Sequence, residues 1–142
     1  MNVGQILSHK GDDIIAMERG CTVMEVAKLL GERRIGAIPI VDGGTICGIM
    51  SERDVVRGIA IRGGGVLADD VSTLMTKSVF TCGKDDTVYE LMKMMTERRI
   101  RHVPVVDGDK LIGMISIGDV VKHRMQQAAA ENEALKDYIA QG

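Results

Sequence analysis

Two stretches of this chain place a hydroxyl and a carboxylate three residues apart, directly after an apolar run. They are Gly48-Ile49-Met50-Ser51-Glu52-Arg53-Asp54-Val55-Val56 and Gly113-Met114-Ile115-Ser116-Ile117-Gly118-Asp119-Val120-Val121. The spacing predicts a hydroxyl at a helix start and a carboxylate in the first turn. Unpaired backbone N–H groups and the positive end of the helix dipole attract phosphate at such a place. The carboxylate can accept hydrogen bonds from two adjacent ribose hydroxyls, each charge-assisted bond being worth roughly 1.5–3 kcal/mol. A single Ser51 and Asp54 would be read as a helix cap. The return of the trio as Gly113, Ser116 and Asp119 favours a ligand.

The elements that must position these groups are also written twice. Thr22-Val23-Met24-Glu25 returns as Thr87-Val88-Tyr89-Glu90, Glu32-Arg33-Arg34-Ile35 as Glu97-Arg98-Arg99-Ile100, and Pro39-Ile40-Val41-Asp42-Gly43 as Pro104-Val105-Val106-Asp107-Gly108. The offset is 65 residues throughout, without a gap from Ile14 to Arg57. A repeat of this length is one supersecondary unit with a face it cannot bury alone, so the copies should pack together. A pseudo-twofold axis between them would create two equivalent clefts.

Each copy reads as strand, helix, strand, strand, helix, an α/β unit. Asp13 to Met17 is a short apolar strand. Thr22 and Glu25 form a capping box before Val26, Leu29 and Leu30, and Thr87 and Glu90 repeat it. The helices end near Arg33-Arg34 and Arg98-Arg99, where basic residues suit the carbonyl end of the dipole. Hairpin turns are expected at Asp42-Gly43-Gly44 and Asp107-Gly108-Asp109. Pro39 and Pro104 fall inside strands, which should be edges or locally unpaired. Met92, Met94 and Met95 read as aliphatic core filling. The domains expected are repeat one with its lead (1–62), a flexible Gly-rich link (63–70), repeat two (71–124) and a helical tail (125–142). Met125, Ala129, Leu135 and Ile139 give that tail a partial apolar stripe, so it is either exposed or in contact across a dimer.

Composition narrows the function classes. In 142 residues the net charge is −2, with one Phe, two Tyr and no Trp, so neither a positive field nor a stacking surface invites nucleic acid. The apolar runs are too short to span a membrane. Three cysteines without Cys-x-x-Cys spacing argue against zinc or a disulfide framework and for a reducing, cytoplasmic setting. Cys47 falls on a strand and is expected to be an inert buried thiol rather than a redox sensor. His9, His102 and His123 lack partners at the spacing of a nucleophilic triad, and no metal cage emerges, so the chain does not read as an enzyme.

The duplicated Arg-Arg-Ile-x-x-(Ile/Val)-Pro-(Ile/Val)-Val-Asp-Gly and Gly-x-x-Ser-x-x-Asp-Val-Val motifs resemble the paired cystathionine-β-synthase (CBS) domains, or Bateman module, over about residues 3 to 124. The resemblance implies two β-α-β-β-α repeats about a pseudo-twofold axis, a homodimer, and a regulatory module without chemistry of its own. It implies AMP, ADP, ATP or NAD(H) as ligands, S-adenosylmethionine being the less favoured, with no cofactor required and an unknown regulated protein as partner. Each cleft would combine the Ser/Asp pair of one repeat with strands of the other. The first would use Ser51 and Asp54, with Val79, Thr81, Val103 and Pro104 near the base and Arg101 and His102 toward the phosphate. The second would use Ser116 and Asp119, with Ile14, Ala16, Ala37, Ile38 and Pro39 around the base.

Arg101-His102 corresponds to Gly36-Ala37, so the resemblance implies a first cleft suited to phosphate-rich ligands and a roomier second one. Arg53, Arg57, Lys122 and His123 either add charge at the mouths or form a solvated face. The rival reading is a ligand-free, dimeric interaction module.

Overall fold

A computed structural model describes residues 1–11 and 14–141. The chain is mixed α/β. Helix α1 (Val3–Lys10) leads into strand β1 (Met17–Glu18), then α2 (Val23–Arg33), β2 (Ala37–Asp42), β3 (Thr45–Ser51) and α3 (Glu52–Arg62). After two short 3₁₀ turns come α4 (Val88–Arg98), β4 (His102–Asp107), β5 (Lys110–Ser116) and α5 (Ile117–Gln141). The strands form one sheet in the order β1-β2-β3-β5-β4.

The offset of the sequence repeat is visible in the bonds that join its copies. β3 meets β5 at Thr45 and Lys110. There Ile46 N–H donates to Asp109 C=O (3.3 Å) and its counterpart Leu111 N–H donates to Gly44 C=O (3.0 Å). Each bond is the image of the other, so the pseudo-twofold axis passes between them. Both hairpins turn where expected, with Gly43 (φ 58°) and Gly44 (φ 92°) in one and Gly108 (φ 66°) in the other. Both α2 and α4 end on an arginine in the left-handed conformation, Arg34 and Arg99, each at φ 54°.

Several expectations need correction. The first strand is Met17–Glu18 rather than 13–17; Ile14 to Ala16 are irregular, and Asp13 lies outside the described residues. Its image in repeat two is only an isolated bridge from Cys82 to Val105. Proline explains the shortness. Met17 pairs in parallel with Ile40, and the next partner down would be Pro39, which has no N–H to donate. Pro104 stands in the same relation to the Cys82 bridge. Thr87 and Glu90 form the full capping box, whereas the Thr22 hydroxyl receives the Glu25 N–H (3.2 Å) without the reciprocal backbone bond. Of the methionine trio Met95 is buried and Met94 partly so, while Met92 faces outward.

The two cores do not follow the sequence boundaries. Val3 and Ile6 of α1 pack with Leu91, Val103 and Ile115 of repeat two. In exchange Val71, with Leu74 and Met75 beside it, packs with Val26, Ile38 and Met50 of repeat one. The Gly-rich link is folded too, as a 3₁₀ turn over Gly64–Ala68 with Val66 buried. Glycines of the two motifs permit this exchange. A Cβ on Gly48 would stand 2.5 Å from Met75 Sδ, and one on its image Gly113 would stand 2.6 Å from Leu7 Cδ2.

Gly113→Ala should therefore displace the Leu7 side chain of α1 from β5 and lower stability by about 1 kcal/mol in urea denaturation. An unchanged midpoint would mean that α1 is not held this closely.

Candidate functional site

The two strand-to-helix corners are built alike. At the first, Ser51 N–H donates to Asp54 Oδ2 (2.9 Å), and Asp54 N–H donates to Ser51 Oγ (3.2 Å). At the second, Ser116 N–H donates to Asp119 Oδ2 (2.8 Å) and Asp119 N–H to Ser116 Oγ (3.1 Å). Each pair is thus a capping box, and the helix it caps is anchored across the corner. Glu52 N–H reaches Gly36 C=O (3.0 Å), and Ile117 N–H reaches the image carbonyl of Arg101 (2.8 Å).

A cleft opens at each corner. The first has a volume of about 300 Å³ and contains Ser51, Asp54, Val79, Arg101 and His102 of the expected set. Thr81, Val103 and Pro104 do not line it. Val103 and Pro104 are buried, Val103 among the side chains of the second core, and Thr81 is half-buried. The second, about 380 Å³, contains Ile14, Ala37, Pro39, Ser116 and Asp119. Ile38 points the other way into the first core, as strand alternation requires, and Ala16 is not in the wall.

Sequence reasoning missed several wall residues. Phe80, the one phenylalanine of the chain, lines the first cleft, and the Arg98 guanidinium lies 4.6 Å from its ring centroid. Arg99 lines the same cleft, so the left-handed helix end that looked purely structural also delivers a cation. Arg53 and Arg57 join it there, whereas Lys122 and His123 line neither cleft, and His123 is buried. Among the described residues, Arg53, Arg57, Arg99 and Arg101 form no ion pair with a carboxylate. Four unpaired guanidinium groups about one concavity favour an anion.

Lys10 makes the second cleft different. Its Nζ lies 2.7 Å from Asp119 Oδ2 and 2.7 Å from Met114 C=O. Burial alone would raise the Asp119 carboxyl, but the hydrogen bonds from Lys10 and the Ser116 N–H hold it below the ordinary value. Lys10 precedes the repeated segment, so comparing the copies could not reveal it. The contrast drawn between Arg101-His102 and Gly36-Ala37 also changes, because His102, Gly36 and Ala37 line both clefts. A Cβ on Gly36 would stand 3.0 Å from His102 Cε1, so the imidazole rests on bare backbone. These three residues are the partition between the sites.

The thiols are poorly suited to redox sensing. Burial pushes Cys82 up to about 12, and burial first, then neighbouring carboxylates, raises Cys21 and Cys47 as well. Cys47 is half-buried rather than buried and points its Sγ at Ile40 C=O (3.4 Å).

The family description CBS domain matches residues 3–61 and again 70–126. The chain belongs to the CBS-domain family. A mitochondrial CBS domain-containing protein of Arabidopsis thaliana, CBSX3, is 34% identical over 99% of this chain and 72% of its own. Among solved structures, a CBS-domain protein of Agrobacterium tumefaciens, ATU1752, is 41% identical with a TM-score of 0.83, over 87% of this chain and 99% of its own. The CBS pair of MJ0100, in complex with 5′-methylthioadenosine and S-adenosylmethionine, is 26% identical with a TM-score of 0.79, over 89% and 98%. PAE2072 of Pyrobaculum aerophilum, complexed with AMP, is 25% identical with a TM-score of 0.75, over 84% and 89%.

Burial, then the Lys10 and Arg101 cations, lowers the affinity of His102 for a proton, against the opposing pull of Asp119 and Glu52. His102 should therefore titrate below the ordinary value of about 6.5 in a histidine NMR titration. The unfolded chain then binds a proton that the fold refuses, so this group subtracts stability as pH falls through about 6.5. Lys10→Gln removes one of the opposing cations and should move the midpoint upward. A midpoint unmoved by that change would show that Lys10 does not act across the partition.

Proposed function

We propose that this CBS pair is a sensor of adenosine nucleotides, binding AMP, ADP, ATP or NAD(H) first in the cleft at Ser51 and Asp54. The observation that carries the reading is the meeting of three ligand groups in that cleft. Asp54 uses Oδ2 for its own helix, and among the described residues Oδ1 has no donor, so it remains for ribose hydroxyls. Phe80 offers a ring for the base, backed by Arg98. Arg53, Arg57, Arg99 and Arg101 offer charge for phosphate. Related CBS pairs whose bound ligands are AMP, or methylthioadenosine with S-adenosylmethionine, support the class.

The same charge ranks the candidates. A cationic sulfonium gains nothing among four guanidinium groups, so S-adenosylmethionine ranks below the phosphate-bearing ligands. At the second cleft Asp119 Oδ1 is likewise without a donor among the described residues, but the Lys10 ammonium on Oδ2 already offsets the charge of that carboxylate, so that cleft fills later. Signalling is then an equilibrium between two arrangements of the repeats, biased only by the ligand's differential affinity for them. A micromolar ligand carries about 8 kcal/mol at standard state, of which a fraction is available as coupling. The module acts as a homodimer on an unknown regulated protein and performs no catalysis. Among the described residues no helix is long and apolar enough to cross a membrane.

Asp54→Asn and Asp119→Asn test the assignment by calorimetry with AMP. Asparagine is chosen because alanine would also remove the acceptor of the Ser51 N–H that closes the capping box. Asp54→Asn should weaken the tighter event about tenfold or more, the loss of a charge-assisted bond pair. Asp119→Asn should leave that event in place and alter only the weaker one. Unchanged affinity in both variants and in the double variant would refute the cleft assignment and favour the interaction module.

A further inference from the structure

Helix α5 runs for 25 residues, well past the end of the second CBS repeat. From residue 124 to 141 every side chain except Gln127 is exposed, with Leu135 at 56% and Ile139 at 67%. Helices in proteins draw most of their stability from packing an amphipathic face, which this stretch does not do within one chain. Its sequence says what would cover it. Val121, Met125, Ala128, Asn132, Leu135 and Ile139 follow one another at alternating spacings of four and three. That is a heptad seam rather than the wider stripe of a helix lying on a globular core.

The polar residues along the seam choose the partner and its direction. With Met125, Asn132 and Ile139 at the a positions and Ala128 and Leu135 at d, Glu131 falls at g and Lys136 at the following e. In a parallel, in-register pair, g of one helix faces the e five residues onward in the other, which brings Glu131 to Lys136 on both sides. The same register sets Asn132 against Asn132, a buried amide pair that selects two parallel strands over other assemblies. An antiparallel pair would instead bring g positions to g positions and leave both Glu131 and Lys136 without each other. Among the described residues of one chain Lys136 has only a weak, exposed approach to Glu133 at 3.9 Å.

We infer that residues 121–139 form a parallel two-stranded coiled coil with the same segment of a second copy of this chain. The inference deepens the homodimer proposed above by giving it a direction: both copies point the same way at their carboxyl ends. A shared two-fold axis along the seam makes each contact self-complementary, as closed dimers require.

Cysteine cross-linking on the full-length, nucleotide-free chain tests it, so the outcome does not depend on ligand binding. Leu135→Cys lies in the seam, and Ala130→Cys lies at f, on the opposite face. The unmodified chain is the control for Cys21, Cys47 and Cys82. Under mild oxidation Leu135→Cys should give a covalent dimer about tenfold faster than Ala130→Cys. Adding Glu131→Lys should lower the yield about fivefold, and adding Lys136→Glu to that variant should restore it, because the charge pair is then reversed rather than broken. Equal rates at positions 130 and 135, no cross-link at 135, or failure of the reversed pair to restore the yield would overturn the proposal.

Discussion

At Ser51 and again at Ser116, a carboxylate three residues ahead accepts the backbone N–H that ends a central strand. This bond fixes the angle between strand and helix, and with it the direction of the whole second helix of each repeat. It also fixes the carboxylate itself, holding it at the mouth of a cleft with one oxygen committed to the fold. The residue that makes the corner is therefore the residue best placed to greet a ligand. Capping and binding are not competing explanations of Asp54. The first is how the second becomes preorganised, since a side chain already held in place gives up less freedom on binding.

What separates the two clefts is the exchange of lead segments. Helix α1 lies over repeat two and delivers Lys10 to Asp119, whereas the matching position over repeat one is taken by the turn at Val71–Thr73. An ammonium on one carboxylate and none on the other follow from that difference, not from the repeated motifs. The partition of Gly36, Ala37 and His102 then makes the clefts neighbours across a shared wall. A charge arriving in one is within electrostatic reach of the other.

The duplicated architecture was legible because each of its devices is local. Thr22 and Thr87 start helices, Asp-Gly turns join the hairpins, and Ser with Asp closes the corners, all within four residues of chain. The short first strands were less legible, since their length is set by a proline in a different strand. Among the wall residues, Val103 and Ile38 were assigned to the clefts but turn inward, because one step along a strand reverses the face. Lys10 and Phe80 were not anticipated, the first lying outside the repeat and the second reaching the cleft from an irregular segment. Arg99 was noticed, but its left-handed backbone turns it from a helix end into part of the wall.

The function proposed for this CBS pair rests on its recognising adenosine with phosphate. A thermal-shift titration of ligand-free protein tests it most directly, with AMP, ADP, ATP, NAD, NADH and S-adenosylmethionine against GMP. A ligand at about 100 times its dissociation constant adds near 2.7 kcal/mol to the folded state, a rise of several degrees in Tm for a chain of this size. That rise is expected with one or more of the adenosine phosphates, a smaller one with S-adenosylmethionine and none with GMP. An equal rise with GMP, or no rise with any of them, would contradict it.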